Sequence, residues 1–569
     1  MKNEMRLGLL FIFPLTLFFS LNMPVSAQVS NYYWADMISS TSLDESYGIA
    51  VDHDGNAYVT GAFSGSADFG DTTLATRGGS DIFLVKYNSA GERLWVRQAG
   101  GKEDDESYAV HIGRNGYCYI TGSFADTAYF ESDTLPGSDD NVYYYDIFLA
   151  KYTLDGNLVW VTSAGENFWD EAFGIWSDLS GDIYITGSYW GTAKFDNISL
   201  SGLYGMGATD GFDIFIAKYD SAGRVLWANR MVERGWDRGS DVSSDAAGNI
   251  YVTGGFQTAL LFGGFGGPSL TATGGNGDED IFLVKYTSHG DFIWKSAAGG
   301  GGLDQARALA LSDDNFIYLT GVFNDTATFD STHQVISRGL NDLFLAKYDS
   351  LGNLLWVRGA GGAGDDGAND VITDKLGNIY ICGYLGGLSD FDDLQITGGG
   401  LFIAKYDPEG KIGWVKQIDE TSNLAKSLAL LPAGDLVMTG IFENIASFGG
   451  TVLNGLGQTD IYITKLDTTT ITRIPDKRET IPHPFFLAQN YPNPFNPSTD
   501  IRCQLKTGGH AELTIYNVLG KKIATLFSGY VRAGNHIYRF DGTNLASGLY
   551  YYQFDLEGIK EVKKMILIR

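Results

Sequence analysis

The sequence predicts an all-β protein, a seven-bladed β-propeller followed by a small Ig-like β-sandwich. One sentence is written seven times between Trp34 and Lys465, most clearly from Gly48 to Trp95: G-I-A-V-D-H-D-G-N-A-Y-V-T-G-A-F, then D-I-F-L-V-K-Y, then G-E-R-L-W. The copies are phased by Trp34, Trp95, Trp160, Trp227, Trp294, Trp356 and Trp414 at a spacing of roughly sixty residues, too short for seven independent domains. The seventh copy stops after Asp460–Leu466, one strand short, while an orphan strand Asn31–Ile38 precedes the first copy.

Each copy carries four β-type runs separated by turn chemistry. In the first, Gly48–Asp52 and Ala57–Phe63 flank Asp54-Gly55-Asn56, and Asp81–Tyr87 and Arg93–Gln98 flank Asn88-Ser89-Ala90-Gly91. A four-stranded unit cannot bury both faces of its sheet alone, so the units must stack, and seven of them close radially into a propeller. If the orphan strand completes the last blade, no long edge stays open to other chains. Neither end of the array looks like the capping repeat that an open solenoid needs.

The elements follow in order. Residues 1–27 read as a secretory signal peptide: Lys2 and Arg6, an apolar run from Leu7 to Leu21 that is short for a bilayer span, and the small-residue end Val25-Ser26-Ala27. No transmembrane anchor is expected. Residues 28–466 are the propeller, and 467–485, rich in Thr and Pro, a linker. From 486 to 569 a second pattern appears, with runs Asp500–Leu505, Ala511–Asn517, His536–Phe540 and Leu549–Asp555 that suit a β-sandwich. Cys118, Cys382 and Cys503 fall in different blades and in the tail, which predicts buried free thiols rather than a disulfide framework.

Charge splits along the chain: residues 28–466 carry 25 Lys/Arg against 58 Asp/Glu, and the tail 13 against 9. A propeller this acidic repels phosphate backbones, so nucleic acid is excluded as a partner. A monomer is the favoured state.

Two resemblances rest on these residues. V-D-x-x-G-N-x-Y-V-T-G followed by D-x-F-x-A-K-Y and L-W resembles the secreted bacterial seven-bladed beta-propeller repeat proteins over about residues 31–466. The shorter period of WD repeats is absent. Y-P-N-P-F-N-P-S-T at 491–499, I-Y-N-V-L-G at 515–520, L-A-S-G-L-Y-Y-Y at 545–552 and the basic-apolar terminus at 563–569 resemble the C-terminal sorting domain of type IX secretion cargo in the Bacteroidetes and related phyla. That resemblance implies transport across the outer membrane, the secretion machinery as a partner, and a location at the cell surface or outside the cell.

The search for chemistry gives candidates of two kinds. An aspartate recurs at the start of the innermost strand, Asp44, Asp105, Asp170, Asp237, Asp304 and Asp366, with Asn423 in the seventh place. In a ring these would surround one mouth of the channel as a cation or polar-ligand site. Repetition in every blade favours the alternative that each accepts backbone N–H bonds in its own turn. The second kind is asymmetric. The longest loops, Glu131–Tyr145, Asn197–Phe212 and Gly263–Glu279, lie in units two to four, carry Tyr144 and Tyr204, and adjoin Trp169, Trp190 and Trp236. Aromatics on Gly-rich loops over a rigid scaffold suit glycan or peptide binding, or else cover loop-facing core.

No cofactor is expected. Asp52-His53-Asp54-Gly55-Asn56 resembles a calcium loop only faintly, since no Glu closes the ~12-residue pattern, and calcium stays a minor alternative. The lysines of K-Y, Lys86, Lys151, Lys218, Lys285, Lys347, Lys405 and Lys465, recur too regularly for catalysis and read as surface lysines paired with Asp over aromatic rings. The H-E-x-x-H motif and the Asp-box of sialidase propellers are absent, and no nucleophile–base pair stands out. A secreted binding or scaffold module is therefore the first function class. An extracellular hydrolase or lyase acting on polysaccharide, which would need two non-repeated carboxylates converging in the channel, is the second, and a structural surface or matrix component the third.

Overall fold

The computed structural model describes residues 32–137, 144–166, 168–202, 211–232, 235–263, 267–274, 278–418, 423–468, 485–487, 490, 492–505, 508–518, 520–556 and 559–568. The signal segment, Tyr204 and most of the linker lie outside them. Among the described residues regular structure is strand throughout. Two compact units result, Met1–Arg473 and Ile474–Arg569.

Among the described residues the first unit contains seven four-stranded antiparallel ladders, some joined to further strands of the next repeat. In the first, Asp44–Val51, Ala57–Asp68, Thr73–Tyr87 and Arg93–Gly101 pair in chain order. The innermost strands touch in succession, and that of the seventh sheet, Leu424–Leu430, returns to Asp44–Val51. Ser46 Oγ donates to the Gly440 carbonyl (3.2 Å) across this closure, and Thr439 Oγ1 to Ser46 Oγ (2.8 Å). Tyr32–Ile38 is the outer strand of the seventh sheet, antiparallel to Asp460–Leu466, with Thr464 Oγ1 donating to the Trp34 carbonyl (2.9 Å).

The alternating apolar positions meet between blades rather than within them. Val59, Phe83 and Val85 of the first sheet share one buried cluster with Ile38, Val437, Ile461 and Ile463 of the seventh. Each such side chain contributes about 1.5–3 kcal/mol when buried.

The motif V-D-x-x-G-N-x-Y…K-Y is a single network around its aspartate. Asp52 accepts the backbone N–H of Asp54 (3.0 Å) and Asn56 (2.9 Å), the Asn56 amide (2.8 Å) and the Tyr58 hydroxyl (3.0 Å), with Lys86 Nζ at 3.7 Å. Gly55 takes φ 80°, a left-handed value open to Gly and to Asn, which replaces it as Asn315 (φ 61°) in unit five.

Surface placement of the motif lysines is corrected: Lys86, Lys151, Lys218, Lys285 and Lys347 are buried. The ammonium groups lie over tyrosines such as Tyr58 (4.9 Å) and Tyr251 (4.8 Å) and cross to the next blade. Lys86 donates to the Leu154 carbonyl (2.9 Å), Lys151 to Ser221 (2.9 Å) and Lys347 to Pro408 (2.9 Å). The repeat tryptophans take the same route. Trp160 Nε1 donates to the Ser221 carbonyl (3.3 Å) and Trp227 to Ser288 (3.2 Å), each ring lying against the turn glycine of the following blade. A Cβ on Gly223 would stand 3.0 Å from Trp160, so this contact needs glycine. The three cysteines are free and buried.

The second unit is a sandwich of two antiparallel sheets, Phe485–Leu487, Ser498–Leu505 and Gly534–Asp541 in one, and Lys522–Val531, Gly509–Asn517, Gly548–Leu556 and Ile559–Leu567 in the other. Sequence patterning misses Lys522–Val531. Its ladder with Gly509–Asn517 slips register twice, which breaks the period-2 alternation that would announce it. The Y-P-N-P-F-N-P-S-T segment is tied to the terminal strand: Phe495 is buried, its N–H donates to Ile566 (2.9 Å) and its carbonyl accepts from Ile568 (3.0 Å).

Deleting Tyr32–Ile38 removes the partner of Asp460–Leu466 and opens a sheet edge. The expected outcome is a melting temperature lower by about 10 °C or more, from several kcal/mol of lost pairing, together with aggregation. Thermal melts and light scattering check it, and an unchanged melting temperature would refute the latch.

Candidate functional site

The repeated aspartates are buried, each at 0–1% exposure, as is Asn423. They do not line an open mouth. Each binds the backbone N–H twenty residues on: Asp44 that of Ser64 (3.2 Å), Asp105 Ala125 (3.2 Å), Asp170 Trp190 (3.3 Å) and Asp237 Gln257 (2.8 Å). Asp304 likewise binds Asn324 (3.2 Å), Asp366 Gly386 (3.0 Å) and Asn423 Glu443 (3.1 Å). The ring pins the loop that follows each second strand. Burial outweighs these bonds and pushes the carboxyl pKa up, to about 6 for Asp44, 8 for Asp105 and 7 for Asp304. The aspartate of each neighbouring D-x-F strand adds repulsion, Asp81 on Asp105 and Asp280 on Asp304.

The aromatic candidates come together. Short parallel bridges between neighbouring units, Tyr145 to Trp169 and Phe212 to Trp236, set their backbones side by side. Trp169 stacks with Phe212 (6.1 Å), Trp190 meets Phe212 edge-on (5.5 Å), and Phe212 meets Trp236 (5.2 Å). Tyr144 joins through Phe168 (5.0 Å), which stacks on Trp190 (5.8 Å). Phe168 holds φ 76°, a costly value for an aromatic residue. Trp236 is 56% exposed, whereas Trp169, Trp190 and Tyr144 are half-buried. Tyr204 lies outside the described residues.

Sequence reasoning expected a channel but missed the groups that line it. The inner strands of all seven units line a cavity of about 440 Å³. One residue after the repeated Asp the units carry Glu45, Glu106, Glu171, Arg238, Gln305, Gly367 and Leu424. Two residues further stand Tyr47, Tyr108, Phe173, Ser240, Arg307, Asn369 and Lys426. The Tyr47 hydroxyl bridges Glu45 and Glu106 (3.1 Å to Glu106), and the Tyr108 hydroxyl donates to Glu171 (3.1 Å). Burial raises the pKa of Glu106 and Glu171. A smaller recess of about 210 Å³ joins Glu171, Phe173, Arg238 and Glu279 to Phe212 and Trp236 of the aromatic cluster. Burial pushes Glu279 up to about 7. Comparing the units column by column along the inner strand, rather than by loop length, would have found these groups. Among the described residues no cluster of three or more His, Cys, Asp or Glu is arranged to hold a metal ion.

Comparison with known proteins finds a family match within each part of the chain. Residues 489–568 match the family Secretion system C-terminal sorting domain and residues 38–62 the family Beta-propeller repeat. The protein is thus an exported β-propeller whose sorting domain directs it through the type IX system to the cell surface or extracellular space. An uncharacterized WD repeat-containing protein, L264, of Acanthamoeba polyphaga mimivirus is 24% identical over 498 residues, 72% of this chain and 36% of its own length. The regulatory protein FlaEY of Caulobacter vibrioides is 25% identical over 174 residues, 30% of this chain and 17% of its own. The chain therefore spans about a third or less of these relatives. The solved structure of PorZ, a surface component of the type IX secretion system of Porphyromonas gingivalis, pairs with 92% of this chain and 81% of its own at 12% identity and a TM-score of 0.27, too low to carry an argument.

Two outcomes follow from these placements. A carboxyl whose pKa is raised by folding binds its proton more tightly in the native state, so its stabilisation is complete below about pH 4 and is lost as pH rises through the folded value. His111, lowered to about 4 by burial, acts in the opposite sense, but only below the usual histidine range. Between pH 6.5 and 7.5, below the titration of Lys416, which burial lowers to about 8, the propeller should therefore lose stability, by up to ~1.4 kcal/mol per pH unit for each carboxyl whose folded value is about 7 or higher, Asp105 and Asp304 among them. Asp105→Asn, which copies the amide at Asn423, should flatten that slope in urea unfolding, and an unaltered slope would contradict the assignment. Truncation after Leu466 should leave the propeller in the periplasm of its native host, which fractionation and immunoblotting would read. Full export of the truncated chain would show that the tail is not the address.

Proposed function

We propose that the propeller is an extracellular recognition module that binds a glycan or peptide on the aromatic cluster over units two to four. The observation that carries this reading is Trp236, 56% exposed at the rim of a recess that also holds Arg238, Glu171 and Glu279. A wet aromatic face beside charged hydrogen-bonding groups suits a polar ligand with one apolar face. Sorting to the outside of the cell supplies the setting in which such a ligand is met.

A second reading has one specific support. Glu106 and Glu171, which occupy the same inner-strand position in units two and three, are neighbouring carboxylates whose pKa values are raised by burial, part of what a hydrolase or lyase requires. A polysaccharide turnover screen with Glu171→Gln as control separates the readings, since binding without turnover supports the module and Glu171-dependent turnover the enzyme.

Stacking on an exposed aromatic contributes ~1 kcal/mol or more, so Trp236→Ala combined with Trp169→Ala should weaken a ligand found on glycan or peptide arrays at least about tenfold. Titration calorimetry on the variants measures this, with circular dichroism as the folding control. Affinity that survives both changes would place binding elsewhere.

A further inference from the structure

The channel treats its acids and its bases differently. The acids stand in units one to four and six and are occupied: Glu45 and Glu106 share the Tyr47 hydroxyl, Glu171 takes that of Tyr108, Asp241 accepts from the Leu309 N–H (2.9 Å), and Asp370 accepts from the Ser427 hydroxyl (2.7 Å) and the Leu428 N–H (2.9 Å). Glu279, at the recess, accepts from Gln305 Nε2 (3.0 Å). The bases belong to units four, five and seven and are treated differently. Arg307 donates to the neutral amide of Asn369 (2.6 Å), the Arg238 guanidinium lies over the Phe173 ring (3.6 Å), and Lys426 lies over the Tyr47 ring (5.4 Å). Among the described residues none of the three makes an ion pair, although the propeller as a whole is strongly acidic.

Leaving these groups together is costly. Desolvation by the channel walls lowers the Lys426 pKa, against the attraction of Glu45, while Arg307 and Arg238 repel it. Arg238 is likewise lowered by desolvation, against the attraction of Glu171 and Glu279. Arg238, exposed at the recess, and the half-buried Arg307 and Lys426, all without ion-pair partners among the described residues, offer a positive field that a ligand anion would satisfy. The neighbouring acids are already engaged by internal donors, which leaves the cations as the groups open to a ligand.

Resting on the reading of the propeller as a recognition module, we propose that its channel mouth is a subsite for the carboxylate of an acidic oligosaccharide, held by Arg238, Arg307 and Lys426. Trp236 offers a stacking face to a sugar ring, and Glu279 and Gln305 accept its hydroxyls from the same recess. Phe173 lines both the recess and the channel, so one ligand can reach from the aromatic rim to the cationic wall. The pairing of a stacking face with acceptor groups favours a sugar over an acidic peptide.

The test is titration calorimetry on the full chain with trigalacturonate, maltotriose as the neutral sugar of equal length, and a glutamate-rich peptide. Trigalacturonate should bind at least about tenfold tighter than maltotriose and weaken with added NaCl. Arg307→Gln and Lys426→Gln should each cut that preference about fivefold or more while leaving maltotriose affinity in place. If one variant fails to fold, the other and the salt dependence decide. Equal binding of the two sugars, a preference untouched by either substitution, or a preference for the peptide would overturn the subsite and leave the recognition reading standing. Silence of the chain on glycan and peptide arrays alike would remove the recognition reading itself.

Discussion

Everything in the propeller depends on the contact that each blade makes with the next. A four-stranded sheet has two apolar faces and no means of covering them, and here the cover is always a neighbour. The tryptophan of one outer strand lies on the turn glycine of the following blade, and the buried lysine beside it donates to a carbonyl of that same turn region. A buried cation is tolerable when a ring and a carbonyl reach it, as for Lys151, and an ion pair adds to these for Lys285 with Asp245 (3.6 Å), Tyr251 and Ser350. The strength of the repeat motif follows from this. D-x-x-G-N-x-Y and K-Y look like two motifs in the sequence and are one interface in space.

Much of the fold was legible because its signals are local and repeated. Turn glycines, alternating strands and phased tryptophans each mark an element within a few residues of itself, and seven copies remove the ambiguity of any one. The lysines were misplaced because a sequence shows a charged side chain but not the carbonyl that awaits it sixty or seventy residues later, as Ser221 awaits Lys151. Lys522–Val531 was missed because register slips blur the alternation by which a strand is recognised.

The candidate site was legible in half. Loop length and aromatic content pointed to Trp169, Trp190, Trp236 and Tyr144, and the structure brings these four into one cluster. The channel groups are harder to see, because Glu45, Tyr47, Arg307 and Lys426 sit in strands that otherwise obey the repeat. Symmetry is informative in both directions. The aspartates that recur are consumed by the backbone, while the residues next to them, free of that duty, differ from blade to blade and give the channel a charged wall on each side.

The seam between Tyr32–Ile38 and Asp460–Leu466 also orders events in time. The first strand of the ring has no partner until the last unit exists, so no early intermediate can be sealed, whatever its blades have achieved locally. Until then the chain is a row of blades with one uncovered flank, the state in which chaperones bind and proteases cut. For a protein that must leave the cell, that delay keeps the chain pliable for as long as its final unit is withheld.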